Sequence, residues 1–123
     1  MKIIHTDKAP KVVGPYSQAI ESNTFIFCAG QIGIDPTSGD LRNGIEDQTK
    51  QVMTNIAAVL TEAGSDIDHI IKTTIYLAAM EDYVKVNEIY GSFFPNNKPA
   101  RSTVAVATLP KNALVEIEVI AEK

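Results

Sequence analysis

Hydrophobic positions along the chain change their period several times, and each change marks an element. Ile3-Ile4-His5 opens a short edge strand, which Lys8-Ala9-Pro10-Lys11 and the Gly14-Pro15 turn interrupt. Two strand-like runs follow, Tyr16–Glu21 and Thr24–Ala29, and Ser22-Asn23 between them predicts a hairpin. Phe25-Ile26-Phe27-Cys28-Ala29 is apolar throughout, as a central strand is. Gly30 and Gly33 flank Gln31-Ile32 and suggest places without room for a side chain, while 35–40 has the Asp, Pro, Ser and Gly of a surface turn.

From Glu46 to Ala63 the apolar residues Val52, Ile56, Val59, Leu60 and Ala63 recur at helical spacing. Asn43 with Glu46 three residues later predicts a capped start, and Gly64 falls at the usual C-terminal stop. Residues 70–77 alternate Ile71, Thr73, Ile75 and Leu77 against Lys72, Thr74 and Tyr76, the period of a strand. A second helix is predicted over Asp82–Phe94, with Tyr83, Val86, Tyr90 and Phe93 inward and Pro95 as its stop. Two last strands, Arg101–Val106 and Leu114–Ile120, are joined by Leu109-Pro110-Lys111-Asn112.

The order of elements predicts an α+β fold, one mixed sheet with two helices on one face. Two helices leave the other face of such a sheet uncovered. Apolar residues there imply a homo-oligomer; dimers are the general prior, and composition alone does not choose trimer over dimer.

At 123 residues, with 45% hydrophobic residues, the chain is expected to form one domain over 1–123. A net charge of −4 and the lack of a basic cluster argue against nucleic acid or an anionic membrane as partner. There is no apolar run long enough for a leader or a bilayer span, and the single Cys28 suits a reducing compartment. A soluble cytoplasmic protein is expected.

Most familiar chemistries find no footing. His5 and His69 have no partners at metal-ligand spacing, and His69 reads as a surface or strand-end residue. No nucleophile elbow is present, and Gly30-Gln31-Ile32-Gly33 lacks the Lys-Ser/Thr of a phosphate loop. Cys28, in the most apolar strand, reads as inert packing. What remains is charge on apolar strands. Glu116 and Glu118 share one face of the last strand, opposite Val115, Ile117 and Val119, and Arg101 opens the strand before it. Arg101 suits a carboxylate ligand, because its planar fork gives two parallel bonds. A structural salt bridge between Arg101 and Glu116 across neighbouring strands is the alternative, since ion pairs also fill such places. Glu118 reads as solvent-facing or as a subunit contact. Tyr16 is either part of a site or an ordinary strand-end aromatic.

Several stretches together resemble the RidA/YjgF family: Gly14-Pro15-Tyr16-Ser17-Gln18-Ala19, residues 29–36, Lys72-Thr73-Thr74-Ile75-Tyr76-Leu77, Pro99-Ala100-Arg101-Ser102-Thr103-Val104, Leu109-Pro110-Lys111 and Val115-Glu116-Ile117-Glu118. The resemblance runs nearly end to end. It implies a chorismate-mutase-like fold in a homotrimer, with active clefts between neighbouring subunits. It further implies deamination of enamine and imine intermediates, such as 2-iminobutanoate and 2-iminopropanoate, to 2-oxo acids and ammonia, with no metal or organic cofactor. Arg101 would bind the substrate carboxylate and Glu116 would orient the attacking water. Tyr16 would close over the ligand, Gly30, Ser102 and Thr103 would line the pocket, and Asn87 would support it. Ala29 and Thr103 stand where many relatives have Ser and several have Cys. A small-molecule-binding regulator using the same cleft and an RNA-cleaving translation inhibitor are the rival readings.

Overall fold

The computed structural model describes residues 1–123. Six strands form one sheet: β1 (Lys2–Ile4), β2 (Ala19–Ser22), β3 (Phe25–Ile32), β4 (Ile70–Leu77), β5 (Ala100–Ala105) and β6 (Val115–Glu122). Their order across the sheet is β1-β2-β3-β6-β4-β5, and only the β4–β5 pair is parallel. Two helices, α1 (Gly44–Glu62) and α2 (Tyr83–Ser92), pack on one face. No helix is long and apolar enough to cross a membrane.

Apolar residues of α1 set the layer. Val52, Met53, Ile56, Val59 and Leu60 are almost wholly buried, against Ile26, Ile75, Ile117 and Val119 of the sheet. Each such side chain contributes roughly 1.5–3 kcal/mol by leaving water. Gly64 at φ +80° terminates the helix, with Gly64 N donating to Thr61 O and Ser65 N to Leu60 O. Asn43 holds the predicted cap position in an extended conformation, but its side chain makes no capping bond.

Several boundaries differ from the hydrophobic pattern, each for a local reason. Tyr16, Ser17 and Gln18 stand outside β2, because Gln18 ties the preceding loop together. Its amide receives a bond from Thr6 N (2.7 Å) and donates to Thr6 O and Pro10 O (both 3.0 Å). Strand β3 runs on to Ile32, since an irregularity between Cys28 and Gln31 carries the ladder past Gly30. The second helix begins after a 3-10 turn at Met80–Asp82 and ends at Ser92 rather than Phe94. The chain then buries Phe94 fully in the core, 4.8 Å from the Tyr90 ring, while Phe93 packs half-buried against it.

The final two strands are not neighbours. The crossover β4-α2-β5 lays β5 parallel to β4 on the outer edge, and β6 inserts between β3 and β4. This overturns the salt-bridge alternative. In the register Val119↔Thr73↔Arg101, Arg101 lies on the helix-covered face with buried Thr73, whereas Glu116↔Tyr76↔Val104 is a row of the open face. Arg101 and Glu116 of one chain are on opposite sides of the sheet.

That open face carries an apolar row across four strands, Ile3↔Ile20↔Phe27↔Ile120, with Phe27 46% and Ile3 63% exposed.

Candidate active site

Two half-sites form on this frame. The first surrounds Arg101. Its Nη1 donates to Asn87 Oδ1 (2.7 Å), its Nη2 donates to the Tyr83 hydroxyl (3.1 Å), and the guanidinium lies 5.2 Å from the centre of the Tyr90 ring. Asn87 and Tyr83 are one helical turn apart on α2, so both reach the same point on β5. Tyr90 is fixed in turn by the Thr73 hydroxyl at 2.8 Å. A hydrogen bond to Asn87 and the Arg101 charge hold the Tyr83 phenol below its usual value, while burial raises that of Tyr90. All partners of Arg101 are neutral groups, and its charge faces a cavity of about 190 Å3 lined also by Tyr90, Phe94, Lys98 and Pro99. A guanidinium fixed in this way retains its full demand for an anion. Thr103 is on the same face of β5, and its hydroxyl is buried without a partner.

The second half-site lies around Glu116. A cavity of about 280 Å3 there is lined by Tyr16, Gly30, Gln31, Ile32, Pro110 and Glu116 among others. A Cβ on Gly30 would collide with the Glu116 carboxylate, 2.9 Å from its Cδ, so only glycine leaves the carboxylate its place. Burial first, and then the like charge of Glu118, push the Glu116 carboxyl above its ordinary value. Tyr16 is 55% exposed at the rim. Glu118 faces solvent and accepts from the Tyr76 hydroxyl at 3.2 Å.

Buried amides of α1 position both walls of this cavity. Asn55 Nδ2 donates to the carbonyls of Ile32 (3.3 Å) and Ile34 (2.9 Å), just beyond Gly30. Gln48 Oε1 accepts from Leu114 N (2.8 Å), two residues before Glu116, and its Nε2 donates to Arg42 O (3.0 Å). Gly33 lets the walls meet the helix, since a Cβ there would lie 2.7 Å from the Gln48 Cα.

Of the predicted site residues, Arg101, Asn87 and Thr103 share one face, and Tyr16, Gly30 and Glu116 share a cavity. Ser102 joins neither group; it points to the open face and accepts from Lys72 Nζ at 3.2 Å. Sequence reasoning assigned Tyr83 and Tyr90 to packing and left out Gln48 and Asn55. The signal for the amides was present: Gln48, Gln51 and Asn55 interrupt the apolar stripe of a helix that faces the core, where polar groups need partners. Cys28 behaves as expected, with burial pushing its thiol up to about 12. His69 is exposed beside its strand and bonded to Asp66 at 2.6 Å.

A mixed sheet under two helices, with a fixed guanidinium on one face and a half-buried carboxylate on the other, defines the class of protein. The chain belongs to the RidA/YjgF family, whose profile, described as Endoribonuclease L-PSP, matches residues 6–123. A RutC family protein of Pyrococcus horikoshii is 51% identical over 123 residues, covering 99% of this chain and 98% of its own. A Mus musculus protein named 2-iminobutanoate/2-iminopropanoate deaminase is 46% identical over 121 residues, 98% of this chain and 90% of its own. The solved structure of E. coli TdcF with bound serine matches at a TM-score of 0.97 and 36% identity, covering 100% of this chain and 99% of that one.

Proposed function

We propose that the protein is a cytoplasmic imine deaminase that converts 2-iminobutanoate and 2-iminopropanoate to 2-oxo acids and ammonia, at clefts between the subunits of a homotrimer. The observation that carries this reading is the Arg101 fork, held open by Asn87 and Tyr83 without a carboxylate partner. Such a fork takes one small carboxylate through two parallel bonds. The deaminase relative and the serine bound to TdcF are consistent with an α-substituted acid as ligand.

Arg101 and Glu116 occupy opposite faces of their own sheet, so one chain cannot present both to one substrate. A neighbouring copy docked on the exposed apolar row supplies the missing half, with Arg101 from one subunit and Glu116, Gly30 and Tyr16 from the next. Thr103, with its unpartnered hydroxyl, lines the Arg101 side, and Ser102 the rim between copies.

The chemistry then balances without a cofactor. Arg101 anchors the carboxylate of the protonated imine and fixes C2 beside Glu116. Glu116 takes a proton from water as the oxygen bonds to C2 and the C=N π pair moves onto nitrogen. Returned to nitrogen, that proton makes ammonia the leaving group. The C–N bond breaks, the C2 hydroxyl becomes the carbonyl, and its proton leaves with ammonia as ammonium. Glu116 must be ionised to begin this cycle and protonated to finish it, and a carboxyl raised above its ordinary value is the stronger base for the first proton transfer.

The test generates 2-iminobutanoate from threonine with a PLP dehydratase and follows 2-oxobutanoate formation against semicarbazide trapping. Acceleration by the wild type, lost in Arg101→Ala, is expected. A wild type that binds 2-oxobutanoate yet leaves the rate unchanged would make the cleft a sensor. RNA cleavage, raised by the family description, finds little support in the half-sites: neither histidine lines either cavity, and each is bonded to a nearby aspartate.

A further inference from the structure

Beside the Glu116 cavity lies another of about 320 Å3, and the two share Pro10, Lys11, Val13, Ile34 and Lys111 in their linings. The shared boundary therefore carries two cations. They come from segments a hundred positions apart in sequence, and no carboxylate is within ion-pair distance of either. Asp35, in the turn that forms the far wall, is engaged by Thr37 N at 2.8 Å.

Both lysines stand on fixed backbone. Gln18 Nε2 donates to the carbonyl of Pro10 at 3.0 Å, immediately before Lys11. Lys111 and Asn112 sit at φ +56° and +57°, locked in a tight turn by Asn112 N donating to Leu109 O and Ala113 N to Pro110 O. A lysine in the left-handed region is uncommon and costs about 1 kcal/mol or more. Lys111 held on this turn lines both cavities.

We propose that this outer cavity is a second-carboxylate subsite, through which the protein accepts 2-imino acids with a distal acidic group, such as 2-iminosuccinate and 2-iminoglutarate. For turnover this rests on the deaminase reading; for binding it rests only on the cleft shared between copies. With the first carboxylate on Arg101 and C2 at Glu116, a distal carboxylate is repelled by Glu116 and drawn to Lys11 and Lys111. The apolar Val13 and Ile34 between them accommodate the connecting methylenes.

Calorimetric binding of 2-oxoglutarate against 2-oxobutanoate tests this in the wild type, in a Lys11→Met/Lys111→Asn double variant, and in Lys111→Arg. Asn is chosen at 111 because it tolerates left-handed backbone. The wild type is expected to prefer 2-oxoglutarate by about fivefold to tenfold, the scale of one or two partly exposed charge-assisted contacts. The preference should shrink with added salt, disappear in the double variant and survive in Lys111→Arg. No preference in the wild type, or one that persists in the double variant, overturns the subsite. Turnover of 2-iminobutanoate, followed in parallel, reports on the deaminase reading separately.

Discussion

Arg101 and Glu116 are controlled by opposite means. Arg101 is held by neutral acceptors that leave its charge free, so replacing it breaks no structural ion pair and, on the proposed mechanism, removes the substrate's anchor. Arg101→Ala should lower kcat/KM by about a hundredfold or more, the cost of a lost buried charge pair, without changing the melting temperature appreciably. Arg101→Lys should fare little better, since a single ammonium cannot bridge both carboxylate oxygens in one plane. Glu116 is held above the ordinary carboxylate value by burial and by the like charge of Glu118. A raised folded-state value means that the folded protein binds the proton more tightly than the unfolded chain. Its stabilising contribution is therefore complete below the ordinary carboxylate value and is lost as pH rises through the raised one. Glu116→Gln should then raise the melting temperature near neutral pH, an advantage that vanishes in acid, while reducing kcat by about a hundredfold or more. The acid limb of the wild-type kcat profile should lie above the ordinary carboxylate value, and Glu118→Gln should move it down by removing the like charge.

Helix α1 is both the main source of the core and the support of the Glu116 half-site. Asn55 and Gln48 fix the chain on either side of Gly30 and Glu116 by bonding to main-chain groups. Gln48→Leu leaves Leu114 N–H and Arg42 C=O without these partners, and should cost about 1–3 kcal/mol by urea denaturation. Because the loss falls two residues from Glu116, kcat per folded molecule should drop as well; an unchanged kcat per folded molecule would assign Gln48 to stability alone. At this scale the sequence was partly legible. The 3.6-residue stripe of α1 and the tight glycines at 30 and 33 each report a local constraint that appears in the fold, and the alternation of β4 holds from Thr73 to Leu77 but fails at Ile71, which an irregularity between Ile70 and Lys72 turns outward while Ile70 is buried. Strand adjacency is not local. Nothing in Leu109-Pro110-Lys111-Asn112 says that β4 separates β5 from β6, or that the registers Thr73↔Arg101 and Tyr76↔Glu116 put the two charges on opposite faces. The Tyr83–Asn87–Arg101 grouping likewise follows from α2 crossing over β5, a contact between segments fourteen and eighteen residues apart.

For the whole molecule, the proposed trimer would answer two features at once, the uncovered sheet face and the separation of Arg101 from Glu116. The apolar row Ile3, Ile20, Phe27 and Ile120 should be covered by a neighbouring copy, so Phe27→Asp should yield monomers in sedimentation and abolish turnover together with assembly. The most direct test of the divided site uses two inactive chains. Arg101→Ala keeps Glu116, and Glu116→Ala keeps Arg101. Unfolded together in equal amounts and refolded, they should regain about a quarter of the wild-type turnover of 2-iminobutanoate, because about one interface in four pairs an intact Arg101 with an intact Glu116 across a cyclic contact. Each variant refolded alone should stay inactive. Mixed oligomers that form but recover no activity, beside an active wild type refolded in the same way, would contradict a site shared between subunits.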